Sequence, residues 1–152
     1  MAITEWIDTL AGVWGTMDDG KGGLVRSYAV FERAEYPESI SVYPCALTYV
    51  TRLSSLAYPA GGPQRAIWQG VTELHAFPTA AKGYYPELML YYGRIIRAAA
   101  GVVHLGGLVE HFLLAPQDPV VPGLLRYGAE DAHLGLIINW TVKEALALTV
   151  SA

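Results

Sequence analysis

Charge is scarce in this chain of 152 residues. Ten Lys and Arg and fourteen Asp and Glu make up 16% of it, about fourteen charged residues fewer than the roughly 25% of a typical soluble domain. Hydrophobic residues make up 53%, with ten Tyr and four Trp among the aromatics. This balance excludes intrinsic disorder, which needs low hydrophobicity and high net charge. A basic cluster is missing too. The net charge is −4, which argues against binding nucleic acid through its phosphates. Cys45 is the single cysteine, so there is no intramolecular disulfide framework. Long apolar runs are lacking as well. The stretch between Arg97 and Glu110 is 12 residues and holds His104 and three glycines, short of the roughly 20 that a spanning helix needs. The first ten residues, MAITEWIDTL, carry Glu5 and Asp8 and no basic residue, unlike a secretory signal. Together these features predict a protein assembled in the cytoplasm.

The length fits one domain, residues 1–152, able to bury roughly 68–70% of its unfolded surface without a metal or disulfide staple. No repeat or low-complexity segment interrupts it. A domain of this size has no exceptional core, so the missing charge is expected at contacts with other subunits.

Ile3, Trp6, Ile7, Leu10, Trp14 and Met17 fall at helical spacing and predict a helix over 3–17, stopped by the glycine-rich turn 18–23. A strand is expected near 24–32 and another over 45–52, with Pro44 at its start. Residues 54–64 read as an exposed, mobile loop. The run 65–77 alternates with apolar groups on both faces, as in a central strand with a helix on one side. A long helix over about 85–103 follows, with Pro86 in its first turn and a stripe of Leu88, Tyr92, Ile95, Ala99 and Val102, ended by Gly106 and Gly107. Residues 108–115 read as a strand and 116–123 as a proline-rich loop. A closing hairpin is expected from 124–127 through a turn at 128–131 to a strand over 132–143, whose Leu134, Leu136, Ile138, Trp140 and Val142 share one face. The fold class is therefore α+β: a mostly antiparallel sheet flanked by an N-terminal helix and one long central helix, with a closing C-terminal β-hairpin.

No catalytic constellation stands out. His75, His104, His111 and His133 have no ligand spacing, and His133 lies at a predicted turn where solvation is expected. Cys45 reads as a buried strand thiol rather than a nucleophile. The run 20–23 has glycines and a lysine but not the spacing or context of a phosphate loop. Asn139-Trp-Thr141 matches the glycosylation triplet but falls in a strand. Arg94 and Arg97 share a helix face that suits an anion, solvent or a neighbouring subunit. Tyr84, Tyr85, Tyr91 and Tyr92, if near His75, would line an apolar pocket with polar tips. A small-molecule-binding α+β domain is the alternative that this last feature keeps open.

Residues 127–143 (YGAEDAHLGLIINWTVK) resemble the closing hairpin of the tail terminator proteins of long-tailed bacteriophages. Leu134-Gly135 and the alternating strand to Lys143 sit in the matching place, although His133 stands where an aromatic is more usual. The order of elements is similar along most of the chain. The resemblance implies a structural virion protein with no enzymatic activity and no cofactor or metal. It would form a homohexameric ring that caps the tail tube and joins tail to head, with the tail-tube protein and a head-completion or connector protein as partners and no direct nucleic-acid or membrane contact. Another neck, connector or tail-tube role remains an alternative. Such a ring buries large faces rich in aromatics and poor in charge, in line with the composition. The candidate residues for a subunit or tube interface are Asp18, Asp19, Lys21, Arg65, Arg94 and Arg97, with the loops 18–23, 54–64 and 116–123 ordering on docking.

Overall fold

A computed structural model describes residues 3–29, 43–57, 64–78, 84–126 and 132–146. Helix α1 spans Ile3–Trp14. Trp6, Leu10, Val13 and Trp14 recur on one side of it and are buried, so the helix forms by laying that stripe on the sheet. Six strands follow: β1 Arg26–Ala29, β2 Cys45–Ala57, β3 Gln64–Phe77, β4 His111–Leu114, β5 Val120–Leu125 and β6 His133–Leu146. Helix α2, Tyr85–Ala100, lies between β3 and β4 and buries Leu88, Tyr91, Ile95 and Ala99. A 3-10 turn over Leu105–Gly107 precedes β4.

The fold is α+β with a curled mixed sheet in the order β1-β2-β3-β6-β4, β5 also pairing with β6. The expectation of a mostly antiparallel sheet holds for every pair except β1 with β2, which run parallel from Arg26↔Cys45 to Ala29↔Thr48. Parallel pairing needs a long crossover, which the 15 residues between β1 and β2 supply. The helix expected over 85–103 stops at Ala100, and Gly101 caps it in right-handed geometry. Gly106 and Gly107, with φ of 69° and 89°, shape the following turn instead. Tyr91, not Tyr92, is the fully buried tyrosine of the stripe, and Tyr92 is half-buried.

Three expected loops need correction. Ser54–Ala57 continue β2, and Gln64 opens β3; residues 58–63 lie outside the described residues. Residues 120–123, read as a loop because of Pro122, belong to β5, where Pro122 stands opposite Leu136. That is possible at a sheet edge, where a missing N–H costs no ladder bond. The strand expected over 108–115 is confined to His111–Leu114. The hairpin pairing of β5 with β6 is present, from Val120↔Ile138 to Leu125↔His133; the turn at 128–131 lies outside the described residues.

The long strand β6 serves two partners along one edge: β5 beside His133–Ile138 and β4 beside Trp140–Lys143. Asn139 marks the change. Its amide N–H donates to the Pro119 carbonyl at 2.8 Å, its side-chain Nδ2 to the Asp118 carbonyl at 2.8 Å, and its own carbonyl accepts from Ala115 N at 2.9 Å.

Both helices contribute to one core on one face of the sheet. Its centre is aromatic: the Trp6 and Trp140 rings meet edge-on at 5.9 Å and 90°, and Trp14 meets Phe112 at 6.1 Å. Glu144 continues the even-numbered, core-facing side of β6 and is only 1% exposed. The Trp68 indole donates to its Oε1 at 3.3 Å. Burial raises this carboxyl above the usual range, with the Trp68 and Trp6 indoles opposing the shift. A raised carboxylate favours the folded state fully below its unfolded value, and this advantage declines as pH rises past that value. Glu144→Gln is therefore expected to gain stability relative to the wild type as pH rises from 4 to 8. Urea midpoints at the two pH values check this; an equal change at both would mean that burial does not raise this carboxyl.

Candidate interface furrow beside the second helix

The turn 18–23 is built by its two aspartates. Asp18 Oδ1 accepts from Gly20 N at 2.7 Å; Asp19 Oδ1 accepts from Lys21 N at 2.7 Å and from Gly23 N at 3.0 Å. Those two amides, Lys21's first, hold the Asp19 carboxyl below its ordinary range. Gly20 and Gly22, with φ of 79° and 83°, take the left-handed positions that such a tight turn needs. The turn is also tied to its surroundings. Lys21 Nζ donates to the Tyr43 carbonyl at 3.1 Å, and the Tyr91 hydroxyl donates to the Asp19 carbonyl at 3.3 Å. A segment expected to order on docking is thus already held by several bonds.

Helix α2 supplies the other wall. Arg94 lies with its guanidinium 4.8 Å from the Tyr91 ring centre, a cation–π contact. Burial pushes the Tyr91 hydroxyl up to about 12, against the nearby Arg94 charge, so it stays a hydrogen-bond donor. Between turn and helix runs a cleft of about 250 Å³ that includes Asp19, Lys21, Phe77, Leu90, Tyr91 and Arg94 in its lining. Past Arg94, Asp18 and Arg97 line a second cleft of about 370 Å³. Past Lys21, Tyr43, Phe77, Tyr84 and Glu87 line a third of about 490 Å³.

Five of the six residues singled out from the sequence, Asp18, Asp19, Lys21, Arg94 and Arg97, therefore meet along one furrow. Arg65 does not. Its Nε donates to Glu110 Oε1 at 2.7 Å, with Lys143 Nζ 3.7 Å from Oε2. This is a partly exposed cluster beside β4, and Arg65 foremost lowers the Glu110 carboxyl. Such a surface pair contributes little to stability. The furrow mixes cations and anions around apolar side chains, which suits recognition of a surface more than bond chemistry.

A second arrangement was not apparent from the sequence. Tyr43 Oη lies 3.0 Å from His133 Nε2, and His133 Nδ1 lies 3.0 Å from His75 Nδ1. The His133 ring stands edge-on to both Tyr43 and His75, each with centroids 5.2 Å apart. His133, expected to be solvated, is 3% exposed, and His75 is fully buried. The reason is that β6 begins at His133, so its side chain enters the sheet face opposite the helices, shared with Cys45 and Leu47. Cys45 stands directly across from His75, and burial pushes its thiol up to about 11, as expected of a buried strand thiol. The tyrosines that would line a pocket near His75 in the alternative reading are engaged on the helix side, Tyr92 packing against that core with Tyr84. Tyr84 stacks on Phe77 at 4.4 Å, Tyr85 is exposed, and Tyr91 packs into the helix-side core. Among the described residues, no three His, Cys, Asp or Glu side chains come together as metal ligands. No helix among them is long and apolar enough to cross a membrane.

No protein-family model matches this chain, and no curated protein matches it.

Proposed function

We propose that the chain is a structural assembly subunit of the kind its closing hairpin resembles: a tail-terminator-like protein of a phage virion. It forms a hexameric ring on the end of the tail tube and joins tail to head. One observation carries the reading. Large apolar side chains are exposed toward both sides of the sheet: Leu53 and Leu56 on the part of β2 that runs beyond its pairing with β1, and Leu113, Val121 and Leu124 on β4 and β5. A ring needs two different faces on each subunit that meet head to tail, and two opposite apolar sides supply such a pair. The low charge of the chain has the same meaning, because permanent interfaces are depleted of charge at their cores. The furrow with Asp18, Asp19, Lys21, Arg94 and Arg97 is then the surface that meets the tube. Tube growth ends because the bound ring offers no further tube-like surface; no bond is made or broken.

Light scattering on the purified chain is expected to show a ring-sized particle, alone or beside tail-tube protein. Leu53→Glu and Leu124→Glu should each return it to smaller species with an unchanged far-UV spectrum. Arg97→Glu should weaken binding to the tube with little change in melting temperature, since Arg97 is exposed. A stable monomer at high concentration, unaltered by tail-tube protein, would sink the proposal.

A further inference from the structure

Along the furrow the chemistry changes in a fixed order, and helix α2 sets it. Glu87, Leu90, Arg94 and Arg97 follow one another at spacings of three and four, so they share one side of the helix. Glu87 lines the third cleft and the first, Leu90 the first, Arg94 the first and the second, and Arg97 the second. From end to end this wall reads acidic, apolar, basic, over about 15 Å of helix from Glu87 to Arg97.

The charges at its two ends meet no opposite charge within the fold. Among the described residues the ion pairs within 4 Å are those of Glu110 with Arg65 and Lys143. Arg94 rests on the Tyr91 ring, and Glu87 and Arg97 are exposed. The remaining charges of the furrow are engaged: Asp18 and Asp19 accept amides of their own turn, and Lys21 Nζ donates to the Tyr43 carbonyl. The floor is the end of β3, Ala76 and Phe77, beyond the last pairing of β2 with β3 at Cys45↔His75. The first cleft, about 250 Å³, admits side chains but not a helix, which is about 10–12 Å across.

We infer that the furrow takes an extended segment of the tube subunit whose inward side chains read basic, apolar, acidic at alternate positions. This rests on the furrow being the surface that meets the tube. Charge complementarity selects the occupant. A Lys or Arg of the segment stands against Glu87, an apolar side chain against Phe77, Leu90 and Tyr91, and a carboxylate against Arg94 and Arg97. In an extended chain, side chains two and four positions apart point the same way, and four steps span roughly 13 Å, which fits the length of the helix wall. Pockets that take alternate side chains of an extended segment are a recurring mode of peptide recognition.

Titration of the isotope-labelled full chain, followed by its amide NMR signals at low ionic strength, tests this, since exposed charges are then least screened. The blocked peptide Lys-Ala-Leu-Ala-Glu is expected to shift the signals of the turn 18–23 and of α2 saturably. It should bind roughly threefold more tightly than Lys-Ala-Leu-Ala-Lys or Glu-Ala-Leu-Ala-Glu, the worth of one exposed ion pair. Glu87→Lys should move the peptide with two Glu to first place, and Arg94→Glu combined with Arg97→Glu the peptide with two Lys, each with unchanged circular dichroism. Three peptides bound alike, a ranking untouched by Glu87→Lys, or shifts that spare the furrow would each overturn the inference. The ranking is read without tube protein. A ranking kept by a chain that binds no tube would count against the tube reading and not against the recognised chemistry; intact tube binding without the ranking would count against the chemistry alone.

Discussion

Trp140→Ala is expected to lower the stability of the protein by about 3–5 kcal/mol, the range for deleting a large buried aromatic. The residue is 1% exposed. Its ring meets Trp6 edge-on at 5.9 Å and Phe112 at 6.3 Å. Its indole N–H donates to Thr72 Oγ1 at 3.2 Å, and Thr72 in turn shares a 2.9 Å hydroxyl contact with Thr48. Residue 70 on the neighbouring strand is glycine for the same reason: a methyl there would run into the Trp140 ring and the Tyr49 carbonyl. Removing the ring leaves a cavity that strands β2, β3 and β6 and helix α1 would have to close together. Trp140→Phe keeps most of the volume and loses the hydrogen bond, so its cost should be clearly smaller. Urea unfolding followed by far-UV circular dichroism measures both. A loss of about 1 kcal/mol or less for the alanine variant would mean that the aromatic cluster repacks.

Much of this core was legible because it is periodic. The stripe of α1 and the even-numbered face of β6 follow from spacing alone, and so does the buried face of α2 at Leu88, Ile95 and Ala99, though not at Tyr91. What spacing does not carry is which strand meets which. The parallel seat of β1 beside β2 and the division of β6 between β5 and β4 depend on contacts far apart in the chain. Pro122 misled for a physical reason: proline excludes a central strand but not an edge, and edge position is a tertiary property. The furrow was half legible. Its charged residues stood out by type, but the turn 18–23 and Arg94 meet only because α2 folds back over the turn. The burial of three titratable residues was missed, with different signals. Glu144 continued the core-facing alternation Leu134 to Val142, so its burial was implicit in the period of two. His75 and His133 are 58 residues apart and touch only through the register that sets His75 opposite Gly135.

That histidine contact leads to the second large expected effect, on pH dependence. Burial foremost, with His133 beside it acting in the same direction, lowers His75 to about 4 in the folded protein, against an ordinary 6.5. The unfolded chain therefore takes up a proton at this residue between pH 6.5 and 4 while the folded chain does not. The stability that neutral His75 confers is fully present above pH 6.5 and is lost as pH falls toward 4, by on the order of 3 kcal/mol. Both histidine rings can satisfy the contact while neutral: the Tyr43 hydroxyl donates to His133 Nε2 and His133 Nδ1–H donates to His75, or every donor reverses. Doubly protonated rings would set two N–H groups against each other at Nδ1. Cys45, across from His75, stays a neutral thiol throughout this range. Glu144 acts with the opposite sign, its advantage being greatest at low pH, so the wild-type profile alone blends the two. The difference between wild type and His75→Gln isolates the histidine. Urea midpoints at pH 7.5, 5.5 and 4.5 should show the variant weaker at pH 7.5 and the gap closing steadily as pH falls. A gap that stays constant across this range would mean that His75 is protonated as easily in the folded chain as in the unfolded one.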